Sequence, residues 1–122
     1  MKFRIKAFVA AFIAVVAAAG IIAPSYAQDM KFWRIGTGGA GGTYYPIGGL
    51  IANAISNPPG SRPCDQGGSC GVPGLVAIAV STNASVANVN AINAGQLDAG
   101  LAGAQSVTQG FNGEGKFDGA KK

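Results

Sequence analysis

The sequence contains no histidine. That absence removes the side chain most often used as a general base near neutral pH and most often used to hold a metal. Acidic residues are scarce as well. Asp65, Asp98, Glu114 and Asp118 show no spacing that pairs two of them for acid–base work. Serine and threonine abound, but without histidine and with few lysines no nucleophile–base pair is visible. Gly-Lys-Ser/Thr is missing, which excludes a P-loop. Only 11% of residues are charged and 20 are glycine, a composition unlike a coiled coil or helical bundle. No catalytic machinery can be assembled from these residue types, and no cofactor is called for.

What the chain does have begins at its start. Lys2, Arg4 and Lys6 precede an uncharged, almost wholly apolar run from Ala7 to Ala23. Pro24 then breaks the helix, and Ser25-Tyr26-Ala27 sets small residues three before and one before a cut. This is the three-part pattern of a secretory signal, so residues 1–27 are expected to be a signal peptide cleaved near Ala27. The competing reading is an uncleaved membrane anchor. The run lies near the lower limit of about 17 residues for a bilayer span, and alanine drives insertion weakly. Cleavage would deliver the rest, residues 28–122, to the periplasm as one small domain.

Removal of that segment takes three basic residues with it and leaves six basic against five acidic, a net charge of +1. The basic balance of the whole chain therefore belongs mostly to targeting. Nucleic-acid binding, which shows a clustered basic face, is not indicated.

Along the mature chain, Phe32 to Ile35 reads as a strand. Gly36 to Gly42 is a glycine-rich loop. A helix should start at about Thr43, with Thr43 as N-cap and Pro46 in its first turn. Ile47, Leu50, Ile51, Ala54 and Ile55 share one face at helical spacing and are expected to point inward. Asn57-Pro58-Pro59-Gly60 stops that helix. Leu75 to Val80 is a continuous apolar run suited to a strand buried on both faces. Ser81 to Ser85 offers several N-caps for a second helix over 85–94, with Val86, Val89 and Ile92 inward and Gly95 as its stop. Leu97 to Ala102 reads as a third strand, and Gln105 to Gly110 as the start of a third helix. The last dozen residues show no clear element. The order β-α-β-α-β with short crossings points to a three-layer α/β fold with a parallel sheet. Ligands bind such sheets outside the carboxyl ends of the strands. Loops 36–43, 81–85 and 103–106 occupy that rim, and all are polar or glycine-rich.

Gly36-x-Gly38-x-x-Gly41 matches the dinucleotide fingerprint in letters, between a strand and a helix. No acidic residue ends the second strand to hold a ribose; Val80-Ser81-Thr82-Asn83 stands there. An anion held by helix N-termini fits better. Each N-terminus carries about half a positive charge and free N–H donors. The two near Thr43 and Ser85 point at one crevice, where Ser81, Thr82, Asn83 and Ser85 add neutral donors. Some of these residues are needed simply as caps. Tyr44 and Tyr45 open the first helix, and one of the two is expected to face the core. Cys64 and Cys70, closing a short loop, read as a disulfide in an oxidising compartment.

Two long stretches carry a family resemblance: Ile35-Gly-Thr-Gly-Gly-Ala-Gly-Gly-Thr-Tyr-Tyr-Pro-Ile-Gly-Gly-Leu-Ile-Ala-Asn53 and Ser81-Thr-Asn-Ala-Ser-Val-Ala-Asn-Val-Asn-Ala-Ile-Asn-Ala-Gly-Gln-Leu-Asp98. They resemble the substrate-binding subunits of TRAP (tripartite ATP-independent periplasmic) transporters, specifically the TAXI subfamily. The segment from Arg62-Pro-Cys to Cys70-Gly-Val-Pro-Gly looks like a variant of the same family. The resemblance spans nearly all of residues 32–115. It implies a two-lobed, type II-like periplasmic binding protein with a cleft between lobes. It implies capture of a small organic anion, such as a carboxylate or amino acid, for membrane subunits that use an ion gradient. By position, Gly38, Gly39, Thr43, Tyr44, Tyr45, Ser81, Asn83, Ser85, Gln105 and Ser106 would line the cleft. Family members are much longer, so the chain is expected to be a truncated N-terminal part of the first lobe. A secreted α/β dinucleotide-binding enzyme and a nonfunctional truncation are the alternatives.

Overall fold

The computed structural model describes residues 29–117 and 119–122, so the expected signal segment and its cleavage point lie outside the described residues. Strand β1 (Lys31–Gly36) forms where Phe32, Trp33 and Ile35 supply aromatic and β-branched side chains. Helix α1 (Tyr44–Ile55) follows. Two short strands, β2 (Ser56–Asn57) and β3 (Val72–Pro73), pair with each other in parallel. Strand β4 (Leu75–Val80) is followed by helix α2 (Ser85–Asn93). Strand β5 (Ala99–Gly100) precedes helix α3 (Ala104–Asn112). The main sheet has the order β4-β1-β5 and is wholly parallel. β1 pairs with β4 from Lys31↔Leu75 to Gly36↔Val80. This is the parallel α/β architecture that the alternation of elements implies.

Successive strand residues point to opposite faces of a sheet. Ile35 and Ala77 pack with Ala52 of α1, whereas Gly36 faces Asn88 of α2. The two helices therefore cover opposite faces, as right-handed crossovers in opposite directions require. The carboxyl ends of all three strands, and hence the N-termini of all three helices, lie along one edge.

The buried stripe of α1 differs from the one its apolar periodicity suggests. Gly48 and Ala52 are its buried residues. Ile47, Leu50 and Ile51 are exposed, Leu50 at 70%, and of the expected face only Ile55 is half-buried. At about 100° per residue, the buried stripe is rotated by roughly a third of a turn. The reason is close approach. A Cβ on Gly48 would run into the Thr37 methyl and lie 3.6 Å from Ala79. Small residues on helix and strand let the two backbones come together, and bulkier side chains are left at the flank.

Three further departures have local causes. Gln96 and Leu97 donate their N–H groups back to Ala91 O, closing the end of α2. Strand β5 is thus only two residues long, although Asp98 N–H to Arg34 O and Leu101 N–H to Gly36 O extend its contact with β1. In α2 the buried residue is Asn88, while Val86 and Val89 are half-buried and Ile92 is exposed. The tail, expected to lack structure, makes a short turn over Gly115–Phe117. Phe117 is buried against Gly110, where a Cβ would lie 3.3 Å from its ring.

Cys64 and Cys70 are joined by a disulfide, with Cα atoms 4.7 Å apart. It closes a turn in which Gly67 N–H donates to Cys64 O and Gly68 N–H to Pro63 O. No helix among the described residues is long and apolar enough to cross a membrane.

Candidate functional site

Three loops meet at the carboxyl edge of the sheet: 37–43 after β1, 81–84 after β4 and 101–103 after β5. Their backbones are tied together first. Thr37 is buried at the end of β1, where its N–H and its hydroxyl both donate to Val80 O, at 2.9 and 2.8 Å. Ser81 Oγ donates to Gly38 O at 3.1 Å. Ser85 Oγ accepts from Gly103 N–H at 3.0 Å. Ser81 and Ser85 thus each join one rim loop to another.

Beneath the rim sits Asn88, fully buried. Its Nδ2 donates to Thr37 O at 2.7 Å and to Leu101 O at 2.8 Å. Its Oδ1 accepts from Thr82 Oγ1 at 2.6 Å. That orientation of the amide is the one its partners demand, because a flip would set Oδ1 against two carbonyls. Glycine at two strand ends makes room for it. A Cβ on Gly36 would meet Asn88 Oδ1 at 2.5 Å, and one on Gly100 would meet Asn88 Cβ at 3.0 Å. The first glycine of the Gly-x-Gly-x-x-Gly string is therefore occupied with packing an asparagine.

A cavity of about 280 Å³ opens between the starts of α1 and α2, lined by Gly38, Gly39, Gly42, Thr43, Tyr44 and Ala84. Four of the residues expected at the site, Gly38, Gly39, Thr43 and Tyr44, come together here. A methyl on Gly103 would lie 3.9 Å from the Tyr44 hydroxyl, so the phenol reaches toward the third loop. Tyr45 and Asn83 are exposed and do not line this cavity. Gln105 and Ser106 line a separate cavity of about 360 Å³ with Val86, Gln109, Gly115 and Lys116.

The three helix starts share an unusual property. None has a side-chain cap and none has an acidic residue in its first turn. Thr43 stands at the N-cap of α1 with φ −66° and ψ −34°, already helical, and its side chain caps nothing. The N-cap of α2 is Ala84, which has no polar side chain, rather than any of the four polar residues around it. The N-cap of α3 is Gly103. The first N–H groups of a helix have no partner within it, so each of these ends offers donors and a partial positive charge to the rim.

Ala84 is also strained. Its φ of 61° and ψ of −147° lie in a region essentially reserved for glycine. Such a residue costs about 1–3 kcal/mol and persists only where its surroundings hold it. Its N–H donates to Thr82 Oγ1 at 3.0 Å, which links it to Asn88. Asn88, Thr37, Ala84 and Gly42 were not singled out from sequence. A polar residue in mid-helix beside two strand-end glycines was the available signal for Asn88.

The one salt bridge among the described residues lies at the start of β5, away from this rim. Asp98 Oδ2 accepts from Arg34 Nε at 3.1 Å and from Arg34 N–H at 2.8 Å. The guanidinium and the backbone N–H of Arg34 hold the Asp98 carboxyl below its ordinary value. No group of three or more potential metal-ligating Cys, Asp or Glu residues exists among the described residues.

Residues 35–122 match the NMT1-like family. The match begins at Ile35, the penultimate residue of β1, and takes in the glycine loop, all three helices and the tail.

Proposed function

Because the chain belongs to the NMT1-like family, of the periplasmic solute-binding class, we propose that it captures a small organic anion at the carboxyl edge of its sheet. The observation that carries this reading is the set of three helix N-termini, uncapped by side chains and free of acidic residues, along one rim. A carboxylate between the starts of α1 and α2 would take up backbone N–H donors and their two partial positive charges without any Arg or Lys, with the α3 start further along the rim. The cavity between Gly38, Thr43, Tyr44 and Ala84 is the proposed seat, with the Tyr44 phenol as an additional donor. Gly39 belongs to the same wall. Tyr45, Ser81, Asn83, Ser85, Gln105 and Ser106 belong to the surrounding rim, with Ser81 and Ser85 holding loops rather than ligand.

In this reading residues 1–27 direct export and residues 28–122 form part of one lobe of a periplasmic receptor. The finer assignment, a TAXI-type TRAP receptor that passes its ligand to membrane subunits, rests on the two sequence stretches at 35–53 and 81–98. The dinucleotide alternative is weakened by the use of Gly36 to admit Asn88 and by the Val80-Ser81 ending of β4.

Titration calorimetry of the exported chain with succinate, L-glutamate and the neutral diamide of succinate tests the proposal. Saturable binding of a carboxylate, with at least tenfold weaker binding of the diamide, is expected. Equal binding of acid and diamide, or no binding of any carboxylate tried, would refute it.

A further inference from the structure

We infer that Asn88 is a positioning residue: one buried carboxamide fixes the mutual spacing of the three rim loops without touching the ligand. As far as the ligand is concerned, the inference rests on the anion-binding reading above. The coupling of the loops does not.

Both polar atoms of the side chain are spoken for, and each of its three hydrogen bonds goes to a different loop. Nδ2 donates to Thr37 O in the first loop and to Leu101 O in the third. Oδ1 accepts from Thr82 Oγ1 in the second. The three loops follow three different strands, so no local sequence constraint holds them in register. Thr82 Oγ1 relays the link one step further, because it accepts the N–H of Ala84 at the lip of the cavity. Gly36 and Gly100 leave the space that the amide fills. A buried amide with every bond made is rigid, and losing one partner leaves the others unsatisfied away from water. The loops that lead into α1, α2 and α3 are therefore all bridged by one side chain, in addition to the pairwise bonds made by Thr37, Ser81 and Ser85.

A purely space-filling asparagine would behave differently, and amide exchange by NMR separates the two cases. Four protected amides report on the loops: Thr37 (to Val80 O), Thr82 (to Gly38 O), Leu101 (to Gly36 O) and Gly103 (to Ser85 Oγ). Asn88→Leu keeps the branched shape and the number of side-chain heavy atoms and removes all three bonds. Exchange at all four amides is expected to rise about tenfold or more relative to the central ladder amides of β1. Phe117→Leu, which lowers stability from the far end of α3, should leave that ratio unchanged. Asn88→Asp keeps the acceptor for Thr82 but loses both donors, so Thr37 and Leu101 should lose protection, and Thr82, whose N–H bonds to Gly38 O in the first loop, should follow Thr37. Should Asn88→Leu not fold, Thr82→Val cuts the second link together with the contacts of Thr82 Oγ1 to Thr37 O and Ala84 N–H, leaves the Asn88–Leu101 link in place, and should loosen Thr82 without loosening Leu101. Succinate affinity is expected to fall at least tenfold in Asn88→Leu and not in Phe117→Leu. A wild-type chain that binds no succinate would defeat the anion reading alone. Unchanged protection in Asn88→Leu, or loss confined to one loop, would overturn the positioning role.

Discussion

Truncating Leu50 tests how α1 sits on the sheet. Apolar periodicity places Leu50 in the core, and a core Leu→Ala change costs about 2–5 kcal/mol. In the structure Leu50 is 70% exposed. Full burial of a leucine is worth about 1.5–3 kcal/mol, so the minority of its surface that is covered contributes only about 0.5–1 kcal/mol. No cavity is left behind, and alanine slightly favours the helix. Leu50→Ala should therefore cost less than about 1 kcal/mol, whereas Ala52→Leu, forcing bulk between helix and sheet, should cost about 1–3 kcal/mol. Urea unfolding followed by circular dichroism measures both. With a slope of about 1 kcal/mol/M for a chain of this size, the midpoint of Leu50→Ala should move by less than about 1 M. A loss of 2 kcal/mol or more from Leu50→Ala, with Ala52→Leu tolerated, would show that α1 buries its bulky stripe and that the close approach over Gly48 is wrong.

Nothing lies within 4 Å of a Cβ built on Gly39, so Gly39→Asp should fit. It should raise stability by about 0.3–1 kcal/mol through the α1 dipole while lowering succinate affinity at least tenfold, as thermal melting and calorimetry would show; unchanged affinity would contradict a site at this wall. Ala84→Gly removes strain of about 1–3 kcal/mol against a chain-entropy loss of about 0.5–1 kcal/mol, so it should leave stability unchanged or raise it by up to about 2 kcal/mol; clear destabilisation in urea would show that Ala84 is unstrained. The Asp98 carboxyl is lowered chiefly by its side-chain hydrogen bond to Arg34. A folded value below the unfolded one stabilises above the ordinary carboxylate range, and that contribution is lost as pH falls through the lowered value. Asp98→Asn should therefore flatten the acid side of the stability profile, and an identical acid limb in wild type and variant would count against the ion pair.

The alternation of strands and helices, and with it the rim, was legible because it depends on features that sequence displays directly. Phe32 to Ile35 and Leu75 to Val80 are bounded by glycines and polar loops, and alternation with helices forces a parallel sheet. The Cys64–Cys70 bridge followed from two cysteines in one short loop. The face of α1 was not legible, because periodicity assumes that the largest side chains are buried. Gly48 and Ala52 reverse that assumption by letting backbones approach. Asn88 was hidden for a related reason: it satisfies two carbonyls and a hydroxyl just past three strand ends, and only the fold brings Thr37, Thr82 and Leu101 to one point. Phe117 was lost in a glycine-rich tail whose turns fold it back onto Gly110. Gly38, Gly39, Thr43 and Tyr44, close together in sequence, line one cavity. Gln105 and Ser106, on the next helix, line a different cavity.

Backbone amide shifts on addition of succinate test most directly whether the uncapped helix starts hold an anion. Saturable shifts are predicted at Gly39 to Tyr45 and at the first turns of α2 and α3, with little change at Lys116, Lys121 and Lys122. Shifts confined to those lysines, or none at the three helix starts, would contradict it.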